Sequence, residues 1–149
     1  MTIFPIAPAA SRYLWFMIPV VVILLGAVAL LATSIRGAQS STFEIRPDGL
    51  RLRGDLWGRF IPKAQLRADL ARRVDLTQEE GLRPKWRRVG TALPGYQCGW
   101  FRLRNGDKAL LYLTDRTRAV YVPTTAGYVL LLSPADPDGF LSTLRVDTP

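Results

Sequence analysis

Histidine is absent from this 149-residue chain, and cysteine occurs once. The first absence excludes imidazole catalysis and histidine metal sites. The second excludes an intrachain disulfide and any multi-cysteine zinc site. Cys98 alone reads as a small buried residue, the usual state of an unpaired cysteine. Acidic residues are few as well, 12 against 20 Lys and Arg, for a formal charge of +8. The length excludes a large multidomain enzyme and allows one domain, with or without an appendage.

Charge is missing altogether from Leu14 to Ala32, an apolar run interrupted only by Pro19 and Gly26. At about 1.5 Å rise per residue the run spans roughly 28 Å as a helix, close to the hydrocarbon thickness of a bilayer. A transmembrane helix over residues 14–34 is expected, after a tail of residues 1–13. Ala27-Val28-Ala29 has the form of a signal-peptidase site, but the apolar run exceeds the core of a signal peptide, which favours an uncleaved anchor. Tyr13, Trp15 and Phe16 mark its headgroup boundary. Arg12 alone precedes the run, whereas Arg36, Arg46, Arg51 and Arg53 follow it, with Asp48 and Asp55 among them. That bias favours a cytoplasmic C-terminal domain.

Gly37 to Ser41 is small and polar, so residues 35–41 read as a linker and 42–149 as one folded domain. Phe43 to Arg46 and Leu50 to Arg53 alternate around Pro47-Asp48-Gly49, a hairpin with Arg51 and Arg53 on one face. Gly58 to Leu66 is extended with Pro62 at an edge or bend. Ala64 to Arg73 admits a helical turn, Val74 to Leu76 a strand, Gln78 to Arg83 a loop and Trp86 to Val89 a strand. Asn105-Gly106 between Trp100–Arg104 and Asp107–Leu113 predicts a two-residue type I′ hairpin, which would set Arg104 against Asp107 as an ion pair and Phe101 against Leu110. Arg118 to Val122 and Tyr128 to Leu132 are two further strands. A final helix is expected with Ser133 as cap, Pro134 in the first turn and Phe140, Leu141 and Leu144 on its buried face.

About seven antiparallel strands followed by one amphipathic helix is the layout of the pleckstrin-homology (PH) superfold. Phe43-Glu44-Ile45 with Asp48-Gly49-Leu50, Arg59-Phe60-Ile61-Pro62, Leu93-Pro94-Gly95-Tyr96 with Gly99-Trp100-Phe101, then Asn105-Gly106, Ala109-Leu110-Leu111 and Leu113-Thr114-Asp115-Arg116 follow in order. In these motifs, over about 105 residues from Thr42 to Arg145, the chain resembles the bacterial PH-domain family of membrane-anchored proteins. The resemblance implies a mainly β fold, a bent antiparallel sheet or barrel capped by the C-terminal helix, and a single-pass protein of the bacterial plasma (inner) membrane. It implies no settled activity. In eukaryotic PH domains, basic residues of the first hairpin can hold phosphoinositides. Here Arg46, Arg51 and Arg53 flank a turn too tight for such a headgroup, with Asp48 at its tip, so that ligand is not carried over.

Arg46 to Arg104 holds 14 basic and six acidic residues, while residues 105–149 are nearly balanced. Arg83, Lys85, Arg87 and Arg88 crowd around Trp86, and with Arg51 and Arg53 they form the candidate contact set for anionic lipid headgroups or a protein partner. A charged face that keeps the domain soluble is the plainer explanation, since an anchored protein needs no further lipid affinity. Aromatics beside basic residues also suit single-stranded nucleic acid, but no nucleic-acid module is present. Glu79-Glu80 reads as a solvated pair, Asp136 and Asp138 as helix-start residues, and Ser40, Ser41, Ser133 and Ser142 have no histidine partner. No enzyme, cofactor or metal site is expected. The expectation is a membrane-anchored interaction or scaffold module that meets the bilayer through its helix and a protein, or a second copy, through its domain. Binding of anionic lipid is the alternative.

Overall fold

A computed structural model describes residues 12–54 and 56–146, with side chains of 12–14 and 34–40 excepted. Most of the N-terminal tail, Asp55 and the last three residues therefore lie outside the described residues, as do the side chains of Tyr13, Arg12 and Arg36. The chain divides into two compact units between Arg36 and Gly37.

The first unit, ending at Arg36, contains most of the helix α1, Arg12–Ser40. Its stretch Trp15–Thr33 has a mean hydropathy of 2.7, is buried nowhere, and is long and apolar enough to cross a membrane. Pro19 sits inside it, as membrane helices tolerate. The helix also runs through Gly37–Ser40, where composition alone suggests a linker. Once a helix is nucleated, each added residue gains a backbone bond, which offsets the roughly 1 kcal/mol a glycine costs.

The second unit is mainly β. Strands β1 (Thr42–Arg46), β2 (Gly49–Arg53) and β3 (Phe60–Pro62) form a three-stranded antiparallel sheet in that order. Pro62 lies on its edge strand, as expected of a residue without a backbone donor. The segment 63–70 makes two short 3₁₀ turns, Lys63–Gln65 and Ala68–Leu70. Six strands follow: β4 (Arg72–Val74), β5 (Pro84–Leu93), β6 (Tyr96–Leu103), β7 (Lys108–Leu113), β8 (Ala119–Pro123) and β9 (Val129–Leu132). Their order in space is β4-β8-β9-β7-β6-β5. The sheet is not wholly antiparallel: β9 inserts between β8 and β7 and runs parallel to β7. The final helix α2 is Pro137–Val146.

Period-two alternation gives this sheet two apolar faces. Cys98, Leu110, Tyr112, Val120, Val122, Leu130 and Leu132 pack with Leu50, Leu52 and Ile61 of the small sheet and with Phe140, Leu141 and Leu144 of α2. Phe101, Leu103, Leu111, Leu113 and Leu131 face the other way, under Val74, Leu76 and Leu82. Cys98 is fully buried, as its isolation suggests.

Two local expectations are corrected. The Asn105-Gly106 hairpin has Leu103 N–H bonded to Asp107 O and Gly106 N–H bonded to Leu103 O, with only Gly106 at positive φ. That is a three-residue turn with a glycine bulge rather than type I′. The register slips by one, so Phe101 opposes Ala109 and Trp100 opposes Leu110. Asn105 is held by its side chain, whose Oδ1 accepts the Asp107 N–H, and by its own N–H bonded to Gly81 O. The expected Arg104–Asp107 pair does not form: Arg104 approaches Glu80 at 3.9 Å, and the Asp107 carboxylate accepts from Asn105. Helix α2 starts three residues later than expected. Asp136 is its cap, accepting the Gly139 N–H at 3.0 Å, and Pro137 its first residue. Ser133 is already engaged with Asp115, donating to its carbonyl at 2.9 Å.

Candidate functional site

Strand β5 ends the six-stranded sheet and is hydrogen-bonded to β6 alone. Trp86, Val89 and Thr91 favour an extended chain, and β6 provides one side of the ladder. Register shifts fall between Pro84 and Trp86 and between Arg87 and Val89, leaving Lys85 and Arg88 without a partner residue on β6. From Val89 to Leu93 the pairing is residue for residue, against Trp100 to Tyr96. Gly90 and Gly99 face each other there, and a Cβ on Gly99 would lie 2.5 Å from Gly90 Cα. Their backbones therefore approach more closely than any side chain would allow.

Lys85 to Val89 and Ala92 of β5 are exposed, and its other four residues are half-buried. Trp86 is 64% exposed and Val89 53%, large for apolar side chains in a folded domain. Lys85, Arg87 and Arg88 are exposed too. Among the described residues no carboxylate lies within 4 Å of any of the three.

Beside this edge stands a cluster that sequence proximity does not reveal. Lys108 Nζ is 4.3 Å from the Trp100 ring centre, and the Arg59 guanidinium is 5.0 Å from it and 5.8 Å from the Tyr128 ring. Trp100 and Tyr128 meet edge to face at 5.1 Å. A shallow concavity of about 420 Å³ is lined by Arg88, Val89, Trp100 and Lys108. Lys108 is opposite Arg102 across the β6–β7 hairpin. The hairpin itself was legible, but only its true register puts Lys108 beside Trp100.

The remaining candidates lie elsewhere. Arg83 ties down the loop before β5: Nε donates to Leu76 O at 2.7 Å, Nη2 donates to Thr77 O, and Nη1 lies 3.4 Å from Glu80. Arg51 and Arg53 lie on the outer face of β2 and line a concavity of about 540 Å³ with Arg59 and Phe60. Arg53 is 3.2 Å from Glu44, which also accepts from Arg46 at 2.8 Å. That hydrogen bond from Arg46, with help from Arg53 and Arg51, holds the Glu44 carboxyl below its ordinary pKa. The seven candidates thus fall in three places: Lys85, Trp86, Arg87 and Arg88 on β5, Arg51 and Arg53 on β2, and Arg83 in the loop before β5.

The arrangement offers charge, apolar contact and free backbone, the means of binding. Among the described residues no group of three or more Cys, Asp or Glu is placed to hold a metal. Residues 43–148 match the family described as Bacterial PH domain. No curated protein and no solved structure matches the chain.

Proposed function

The chain belongs to the bacterial PH-domain family, and on that footing we propose that it is a membrane-anchored, non-catalytic module whose β5 edge receives a protein partner. PH domains are generally binding modules, and the mainly β fold with its closing helix fits that class. The observation that carries the reading is the β5 edge: cations without carboxylates, next to Trp86 and Val89, on a strand paired on one side only. Helix α1 would provide the attachment. The exposed, mainly apolar span Trp15–Thr33 is costly in water and at home in a bilayer, and the excess of arginines after the helix supports a cytoplasmic side of the plasma membrane for the domain.

Photo-crosslinking from position 86 in native membranes tests the partner. A defined protein adduct is expected, and recovery of uncrosslinked chain alone would overturn the reading. The anchor is tested separately by alkaline extraction, which should leave the chain in the membrane pellet, and by a C-terminal reporter that functions only outside the cytoplasm and should stay silent.

The concavity beside Trp100 favours a second reading, contact with anionic lipid. Each basic residue near a charged surface contributes about 1 kcal/mol, and tethering holds Arg59, Arg88 and Lys108 at high effective concentration near headgroups. Full-length chain in nanodiscs should then capture vesicles containing phosphatidylglycerol and not vesicles of phosphatidylcholine alone. Equal capture of both would remove this reading.

A further inference from the structure

We propose that the partner of the β5 edge is an extended peptide segment that adds as a further strand along Val89–Leu93 and carries acidic residues where it passes Lys85, Arg87 and Arg88. The proposal rests on the interaction reading above and names the chemistry of what is bound. Three features of one strand lead to it.

The first is the ladder. Val89 to Leu93 is five residues of unshifted pairing on an edge strand, the length of an ordinary β-strand. An antiparallel ladder turns alternate backbone groups away from the partner strand, and among the described residues no other strand covers that side. Free N–H and C=O groups in a row are the template on which a peptide adds to a sheet.

The second is the distribution of charge. The bulged half of β5 carries Lys85, Arg87 and Arg88, without carboxylate partners among the described residues, and the regular half, Val89 to Leu93, carries no charge. Bulges and cations protect an edge against indiscriminate pairing, so the cationic half rejects basic or neutral strands that the regular half would accept. An acidic segment meets the opposite charges it needs. A second copy of the chain does not. Paired antiparallel about Thr91, it would set Pro94 and Gly95 against the cations, and paired parallel it would set the cations against one another; neither arrangement supplies carboxylates.

The third is apolar contact. Trp86 and Val89 stand exposed on the strand itself, and the concavity lined by Val89 and Trp100 lies beside them. A bound strand would cover this surface with alternate side chains. A lipid headgroup has no backbone to pair with the edge, which favours a peptide as the occupant.

The test titrates the full-length chain in nanodiscs of neutral lipid with three synthetic decapeptides of alternating Val and Thr. One ends in three Glu, one in three Lys, and one repeats the Glu sequence with alternate backbone nitrogens methylated. The Glu peptide should bind, the Lys peptide should not, and N-methylation should weaken binding at least about tenfold, the loss of two or three net backbone hydrogen bonds. The double variant Arg87→Glu, Arg88→Glu should lose the Glu peptide and gain the Lys peptide, while Arg118→Glu, next to β8 and away from the β5 end, should change neither. This reversal separates lost binding from lost folding. Undiminished binding of the methylated peptide would overturn strand addition, and equal binding of Glu and Lys peptides would overturn the acidic partner. Capture of phosphatidylglycerol vesicles with no peptide binding would overturn both in favour of lipid, and peptide-insensitive self-association through β5 would overturn them in favour of a second copy. In each of these failures a protein crosslink from position 86 would leave the broader interaction reading standing, so the two are tested apart.

Discussion

The two ends of the six-stranded sheet are finished in opposite ways. At one end β4 is three residues long and its cations are matched: Arg72 makes a two-pronged contact with Glu79 at 2.6 and 2.7 Å, and Arg73 lies 3.6 Å from Asp138 of α2. The Arg72 guanidinium also lies 5.6 Å from the Tyr121 ring. At the other end β5 is ten residues long, and Lys85, Arg87 and Arg88 have no such partners among the described residues. A short edge with its charges neutralised is closed to new strands; a long edge with unmatched cations selects what may approach. Both ends are basic in sequence, so net charge does not distinguish them. The position of Glu79 and Asp138 does.

The largest expected effect comes from breaking the β5 end where its backbone is tightest. In Gly99→Val the new Cβ would lie 2.5 Å from both Gly90 Cα and Val89 O, at a backbone φ of +116°. Valine tolerates neither the contact nor the conformation, so a loss of about 2–4 kcal/mol is expected. Denaturant melts of the full chain in detergent measure the loss, and hydrogen exchange shows where it falls. Amides of β5 and β6 should open first while those of β4 and β8 keep their protection. Equal opening at both ends would mean that the sheet responds as one unit and that its edges do not differ in stability.

A smaller effect separates the two sets of cations. Arg72→Ala removes the two-pronged contact to Glu79 and the ring contact, and exposed ion pairs of good geometry are worth about 0.5–1 kcal/mol. Arg87→Ala removes no ion pair and should stay within about 0.5 kcal/mol of the parent. Paired denaturant melts decide it. An Arg87→Ala loss as large as that of Arg72→Ala would show that β5 cations hold the fold together and are not reserved for a partner.

Local pattern shows much of this fold and little of its edges. The hairpin β1–β2, the strands around Asn105-Gly106 and the apolar face of α2 are all visible as alternation or helical spacing, because each depends on neighbours in sequence. The order β4-β8-β9-β7-β6-β5 is not visible, because it depends on β9 returning beside β7 in parallel, a long-range choice that no local signal encodes. Only that order makes β5 an edge. The same reason separates Arg83 from Arg87 and Arg88. The three are close in sequence, but Arg83 turns back onto Leu76 and Thr77. Lys108 and Arg59, distant in sequence, meet over Trp100. Strand register governs the rest: a one-residue slip at the β6–β7 turn moved every cross-strand neighbour, including the partner expected for Arg104.

The smallest effect is in acid, where the matched end alone should respond. The hydrogen bond from Arg72 holds the Glu79 carboxyl below its ordinary value of 4.5, with burial opposing it. A carboxyl whose pKa is lower folded than unfolded stabilises the fold above its unfolded pKa, and that stabilisation is lost as pH falls through the folded value. Because the pair is largely exposed, the contribution is below about 1 kcal/mol after solvent screening. Glu79→Gln should therefore be slightly less stable than the parent at about pH 6, and the difference should shrink as pH falls below the unfolded value and through the lowered folded one, where the parent carboxyl protonates. Asp115 and Asp69, held low by Thr117 and Arg67 respectively, titrate in both proteins, so subtracting one melt series from the other cancels their share; Asp75, whose charge acts on Glu79, belongs to the difference itself. The matching experiment at the open end is Arg87→Gln, whose difference from the parent should not change over the same range because Arg87 has no carboxylate partner among the described residues. A pH-dependent difference there would reveal an acidic neighbour at β5 and would remove the contrast between the two ends.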